Sequence, residues 1–166
     1  TRGSNGVILI NLKKGTKDGQ VHTTYSTSVT FNKAKKELDI MNAEEYRAYR
    51  TVSNPLSDMG ADSDWFDAVT QLGVTHMHTL TFSGGNERTN YRVTADYRNA
   101  RGIDLRSDRR EYGARANINH TTKDGLFTFS ANITPRVIDR NKSANVYSNA
   151  IKNNPTMPIY DSESAN

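Results

Sequence analysis

Apolar and polar residues alternate along three consecutive stretches in the second half of the chain. The apolar positions of the first stretch are Tyr91, Val93, Ala95 and Tyr97, and charged or small polar residues lie between them. The same period of two returns in residues 112–118 and again in residues 127–133. Alternation of this kind indicates an extended strand with one apolar and one polar face, and it excludes a helix.

These strands are long for a globular protein. Each covers about 9 to 12 residues, whereas a typical globular strand has about five or six. A tilted strand of about 9 to 11 residues is long enough to cross a bilayer. The pattern therefore predicts a sheet that separates an apolar environment from a polar one.

The spacing of turns predicts one antiparallel sheet in sequential strand order. The expected strands are residues 20–31, 74–84, 88–100, 109–120 and 126–137. Tight turns at 84–88 and 121–125 alternate with long connections, as in up-and-down barrels of outer membranes. The fold class is accordingly all-β, a fragment of a transmembrane antiparallel up-and-down β-barrel. In these hairpins we expect Phe82 opposite Tyr91 and His120 opposite Phe127.

The long connection between the first two strands contains two helix signals. Asn42 precedes Glu45 by three positions, which is the spacing of a capping box. Asp64 is placed to cap a helix over residues 65–72, with Gly73 as its stop. We expect both helices to pack locally, and we favour a structural role for Trp65 over stacking on a sugar ring.

Composition supports a sheet with a single apolar face. Hydrophobic residues make up 34% of the 166 residues, and the mean hydropathy is -0.77, which leaves little material for a large core. There are no cysteines, so disulfides and thiolate metal sites are excluded. The first residues do not resemble a signal peptide, and we expect the chain to be a fragment of a longer protein.

The charge distribution is uneven. Residues 1–36 carry seven basic side chains against Asp18 alone, and residues 37–73 carry eight acidic side chains against Arg47 and Arg50. Nucleic-acid binding requires basic and aromatic residues concentrated on one surface. Because most charges here alternate with apolar strand positions, we expect no nucleic-acid partner.

Several short segments resemble the SusC/RagA family of TonB-dependent outer-membrane transporters, and they follow in that family's order. They are Arg2 to Ile10 with Lys13-Lys14-Gly15, Met41 to Tyr46, Asp64-Trp65, Ser83 to Thr89, and Asn154 to Tyr160. The resemblance implies a plugged barrel of about 22 strands. In this reading residues 1–19 are the C-terminal end of the plug domain and a linker. Residues 20–166 are the first strands and loops of the barrel, and the strand at 6–14 packs in the plug.

The resemblance also implies a function and partners. It implies import of glycans or peptides across the bacterial outer membrane, with a SusD-like surface lipoprotein and the TonB complex as partners. TonB would act through a segment outside this fragment, and outer-membrane lipid would surround the barrel. The transported substrate and the oligomeric state are not determined by these residues. A soluble β-sandwich that acts as a binding or adhesion module remains the alternative.

Strand parity divides the candidate site residues into two sets. Those expected to face the lumen or the plug are Arg92, Asp96, Arg98, Glu111, Arg115, Asn117, Asn132 and Arg136. Aromatic residues expected at the two membrane interfaces are Phe82, Tyr91, Tyr97, Tyr112 and Phe127, which bracket a band of small and branched apolar residues.

Other chemistry is not expected. His76 and His78 lie two apart on one strand face, but no third ligand is evident, so we expect neither a metal nor any other cofactor. No Ser/His/acid triad or pair of carboxylates lies within a plausible loop. We therefore expect that the protein is not an enzyme.

Overall fold

The computed structural model describes residues 13–35, 39–50, 52–142 and 146–160. Residues 6–12, which hold most of the strand expected in the plug, lie outside this set. The strands are β1 (His22–Asn32), β2 (Gly73–Gly85), β3 (Thr89–Arg101), β4 (Asp108–Thr121), β5 (Thr128–Ile133) and β6 (Arg136–Asn141). The helices are α1 (Ala43–Arg50), α2 (Trp65–Val69) and α3 (Val146–Lys152), with a 3-10 turn at Pro55–Ser57.

The strands form one sheet whose order follows the sequence from β1 to β5, and β6 also pairs with β4. The all-β fold and the sequential strand order are therefore confirmed. β4 and β5 pair antiparallel, with Ala116 opposite Ile133 and Thr121 opposite Thr128. Each hairpin thus places the alternating residues of neighbouring strands on common faces.

Pro135 divides the fifth predicted strand into β5 and β6. The carbonyl of Pro135 accepts a hydrogen bond of 3.1 Å from the amide of Ala114, but proline has no N–H with which to return it. The pairing then resumes, because β6 pairs with β4, and Asn141 Nδ2 donates to both carboxylate oxygens of Asp108, at 3.0 and 3.1 Å. The strand consequently runs to Asn141, four residues beyond the expected end.

The expected pairing of His120 with Phe127 is wrong, since His120 lies opposite Phe129. Gly125 has a φ of 72°, and the carboxylate of Asp124 accepts from the amide of Leu126 at 3.1 Å. These interactions extend the turn, so that β5 starts later than expected. The hydroxyl of Thr122 bonds the same carboxylate and holds the pKa of Asp124 below its usual value.

The preceding hairpin shows the same displacement. The hydroxyls of Thr81 and Thr94 lie 3.1 Å apart, a register that places Gly84, and not Phe82, opposite Tyr91. A Cβ at Gly84 would lie 2.9 Å from the Tyr91 hydroxyl oxygen, so the ring crosses a position without a side chain. Both register errors are of two residues, and a shift of two leaves every side chain on its predicted face.

The helix caps are as predicted, but the second helix is shorter. Asn42 and Glu45 exchange side-chain to backbone hydrogen bonds of 2.9 and 3.0 Å, and Asp64 accepts from the amides of Phe66 and Asp67. The helix begun by Asp64 ends at Val69, not Leu72, because its last carbonyl accepts from the amide of Leu105.

Beyond that point the backbone is extended and Gln71 donates to Ile103 O at 2.8 Å. Gly73 therefore opens β2, and its expected role as a helix stop is wrong. Hydrogen bonds to a distant loop override the local helix signal in residues 70–72.

Contacts divide the chain into two units. Unit 1 comprises residues 1–28, 77–98 and 111–138, and unit 2 comprises residues 29–76, 99–110 and 139–166. Unit 1 contains the central parts of the strands. Unit 2 contains the helices and the strand ends that join them.

Unit 2 is held together by the segment Asn154–Met157. Asn154 accepts from Trp65 Nε1 at 2.9 Å through its carbonyl and donates from Nδ2 to Ser57 O at 2.8 Å. Thr156 is fully buried, and its hydroxyl accepts from the amide of Met59 at 3.0 Å. These bonds support the structural role expected for Trp65, whereas helix α3, which directly precedes this segment, was not predicted.

Replacing Thr156 by Val should loosen unit 2. The two side chains have nearly the same shape, but Val leaves the Met59 amide without an acceptor, at a cost of about 1 to 3 kcal/mol. Limited proteolysis of the full-length protein should then cleave residues 52–63 faster than in the wild type. The exposed Thr23→Val is the control, and equal cleavage in both variants would contradict this role for Thr156.

Candidate functional site

The sheet buries polar side chains and exposes apolar ones. In unit 1 the most buried polar residues are Thr81, Ser83, Asn90, Glu111 and Asn117. Among all residues that the structure describes, the buried hydrophobic ones are Ala43 and Ala150, and both belong to unit 2. This arrangement is the reverse of that in a soluble domain, where large apolar side chains fill the core.

The predicted inward-facing residues meet on the polar face of unit 1. One cavity of about 350 Å³ is lined by Arg92, Arg115 and Asn117 together with Lys13, Thr79, Thr81 and Thr94. A second cavity of about 330 Å³ is lined by Asp96, Arg98, Glu111, Arg115 and Arg136 together with Met77, Thr79 and Thr94. Asn132, the remaining candidate, accepts a hydrogen bond from Asn117.

Sequence reasoning missed the β2 side of this face. Thr79 and Thr81 alternate with Leu80 and Phe82, and that parity was available as a signal. Lys13 lies in the predicted strand at 6–14, where the apolar residues are continuous, so no alternation indicates which face its side chain is on. A Cβ at Gly15 would overlap the backbone oxygen of Tyr91, so the segment that carries Lys13 runs directly against β3.

Glu111 is the centre of an ion-pair cluster on the polar face. Its side chain is 3% exposed, and it accepts from Arg98 Nη1 at 3.4 Å and from Arg136 Nη1 at 3.0 Å. Arg136 Nη2 also lies 3.4 Å from Asp96 Oδ2. Two acids and two arginines from three adjacent strands therefore neutralise one another.

Gly113 allows this cluster to form. A Cβ at Gly113 would lie 2.5 Å from Asp96 Oδ2, so the carboxylate occupies the space where a side chain would project. Asp96 can thus reach across β4 to Arg136 on the next strand. Any other residue at this position would displace the carboxylate.

A row of rings crosses the apolar face of unit 1. The centroids of Tyr97 and Tyr112 are 5.0 Å apart, and the row continues through His78 to Tyr25 at spacings of 6.3 and 6.1 Å. The Tyr25 hydroxyl lies 2.7 Å from His78 Nδ1. The contact between Tyr97 and Tyr112 was expected from the sequence, but the extension to His78 and Tyr25 was not.

The remaining predicted aromatics also lie on this face. Phe82 and Phe127 are exposed, and Tyr91 is half-buried above Gly84. Their position at a membrane interface stays a prediction. Within residues 13–35, 39–50, 52–142 and 146–160, no group of three or more His, Cys, Asp or Glu could hold a metal ion. The helices in these ranges are all too short or too polar to span a membrane.

Comparison with known proteins identifies related sequences. The chain is 33% identical over 175 residues to the TonB-dependent receptor SusC of Bacteroides thetaiotaomicron, covering 98% of this chain and 17% of SusC. It is 28% identical over 176 residues to the TonB-dependent receptor P26 of Formosa agariphila, covering 98% of this chain and 18% of that receptor. No family model matches the chain.

Solved structures of a related fold include the RagAB peptide importer. The RagAB peptide importer in its closed-closed state superposes with a TM-score of 0.67 at 19% identity, covering 87% of this chain and 20% of the importer chain. The open-open state of RagAB gives the same TM-score.

In sequence the chain is similar to one class of proteins, the TonB-dependent receptors, and in fold its antiparallel sheet is similar to part of the RagAB importer. Within that class the resemblance to the SusC/RagA type is confirmed. The chain spans about a fifth of the length of the relatives that it matches.

Replacing Glu111 by Gln should destabilise the sheet. The substitution keeps the side-chain volume but removes the charge that pairs with two arginines, and we expect a loss of about 1 to 3 kcal/mol because both arginines are partly solvated. Urea unfolding of the full-length receptor in detergent measures this. Glu87→Gln in an exposed turn is the control, and an equal midpoint in both variants would show that the cluster adds no stability.

Proposed function

We propose that this chain forms part of the barrel wall of a TonB-dependent transporter in the bacterial outer membrane, which imports glycans or peptides. Residues 1–19 are the end of the plug domain and its linker, and residues 20–166 are the first barrel strands and loops. The observation that carries the proposal is the reversed burial of the sheet. Glu111 and Asn117 are 2% and 4% exposed, whereas Phe129 and Ile133 are each 60% exposed.

A bilayer accounts for this reversal. Apolar side chains that face hydrocarbon need no protein cover, and polar side chains on the other face line a wet lumen or contact a plug. A soluble sandwich would pack the apolar face against a second sheet and leave the charged face in water. The buried face of unit 1 is the charged one, which disfavours the adhesion module.

The partners follow from the relatives. RagAB is described as a peptide importer and SusC as a TonB-dependent receptor. We infer by analogy a SusD-like surface lipoprotein as partner, and energy from the TonB complex through a segment outside this chain. The same relatives are described as receptors and importers, which supports a role in transport rather than catalysis.

The side-chain face that meets lipid can be tested with arginine. Ala95 is exposed in the middle of the apolar band, and an arginine there should cost about 2 to 4 kcal/mol at the bilayer midplane. The Ala95→Arg receptor should therefore yield less folded, heat-modifiable barrel in outer-membrane fractions than the wild type.

Ser130→Arg provides the control. Ser130 is exposed on the opposite face, where its hydroxyl bonds Asn119, so an arginine there remains in a polar environment. Equal amounts of folded barrel from both variants would remove the physical basis of the transporter proposal.

A further inference from the structure

The first cavity of the polar face differs from the second in its charge balance. The second cavity contains Asp96 and Glu111 among its arginines. The first is lined by Lys13, Arg92 and Arg115 with threonines and an asparagine, and no carboxylate belongs to its lining. The second cavity thus contains carboxylates that balance its arginines, whereas the lining of the first contains none, and Arg115 lines both cavities.

Arg92 and Arg115 are close neighbours on adjacent strands. Arg98 faces Glu111 and Asn90 faces Asn119, and this register makes Arg92 and Arg115 a diagonal pair. Diagonal residues of an antiparallel sheet have Cα atoms about 7 to 8 Å apart, within reach of long side chains. Within the described residues, neither guanidinium forms a hydrogen bond or an ion pair. Like charges so placed repel each other unless an anion lies between them.

The segment that packs over this part of the sheet adds to the positive charge. Gly15 lies against the backbone of Tyr91, and Lys13 of the same segment lines the cavity. The acid of this segment, Asp18, is engaged elsewhere, because it bonds His22 at 2.6 Å and the amide of Gln20 at 3.1 Å. The described part of the segment thus supplies a cation where a compensating carboxylate is needed.

We propose that this cavity is a binding site for a carboxylate of the transported substrate. Arg92 and Arg115 would each donate charge-assisted hydrogen bonds to the carboxylate oxygens, and Lys13 would contribute a third positive charge. Neutral donors around it are the Thr79 hydroxyl, the one hydroxyl hydrogen that the Thr81–Thr94 bond leaves over, and the second amide hydrogen of Asn117. This proposal rests on the proposed function, because it requires the polar face to line the substrate path. Such a site would select acidic cargo over neutral cargo.

The test is calorimetric titration of the purified full-length receptor in detergent. The probe is triglutamate with an acetylated N-terminus and an amidated C-terminus, and triglutamine capped in the same way is its carboxylate-free counterpart. Triglutamate should bind at least about tenfold more tightly than triglutamine, and Arg92→Gln combined with Arg115→Gln should weaken triglutamate at least about tenfold, a change of about 1.4 kcal/mol. Added salt should weaken wild-type binding, as expected for a charge-based site.

Arg101→Gln combined with Arg110→Gln is the matched control. It removes two arginines from the same two strands at exposed positions of the opposite parity and should leave triglutamate binding unchanged. Arg92→Lys combined with Arg115→Lys should restore part of the affinity, which separates loss of charge from misfolding.

Two outcomes would overturn the proposal. One is equal binding of triglutamate and triglutamine by the wild type. The other combines two results: the wild type binds neither peptide, and the double glutamine variant unfolds at a lower temperature than its control. Together they would mean that a carboxylate of the receptor itself fills the cavity. Peptide titration and thermal unfolding require neither transport nor a membrane, so the proposed function is tested separately by Ala95→Arg.

Discussion

Antiparallel backbone pairing in fixed register is the constraint on which the other features of this chain depend. Strand alternation alone would divide polar from apolar side chains, but only pairing gathers the polar ones from four strands onto one face. Glu111 shows the consequence, because its two arginine partners come from β3 and β6. Without the common register the same residues would be isolated charges along separate strands.

Most of the fold could be predicted because its dominant signal is local. A period of two is visible within each strand, and the glycines and asparagines of the tight turns lie between strands that must pair. Register was predicted less well, since the turn after Thr121 is decided by side-chain bonds of Asp124 that alternation does not reveal. The error did not change which face each strand position occupies, because it was a shift of two residues. All the candidate lumen residues therefore lie on one face, as expected.

What the sequence did not reveal depends on contacts between distant segments. Residues 70–72 have helix signals, yet they pair with the loop at 103–105. The segment at Asn154 was noticed as a motif, but its role in binding Trp65 and Ser57 emerges only from the structure. Lys13 likewise reaches the cavity through the path of the chain and not through any periodic pattern.

Gly113 has a consequence for how such receptors can diverge. Because the Asp96 carboxylate fills the space above this residue, positions 96, 113 and 136 form one unit across three strands. In a homologue with a side chain at position 113, the acid at 96 could no longer reach the arginine at 136. These three positions should therefore covary among homologues, although they are far apart in the sequence.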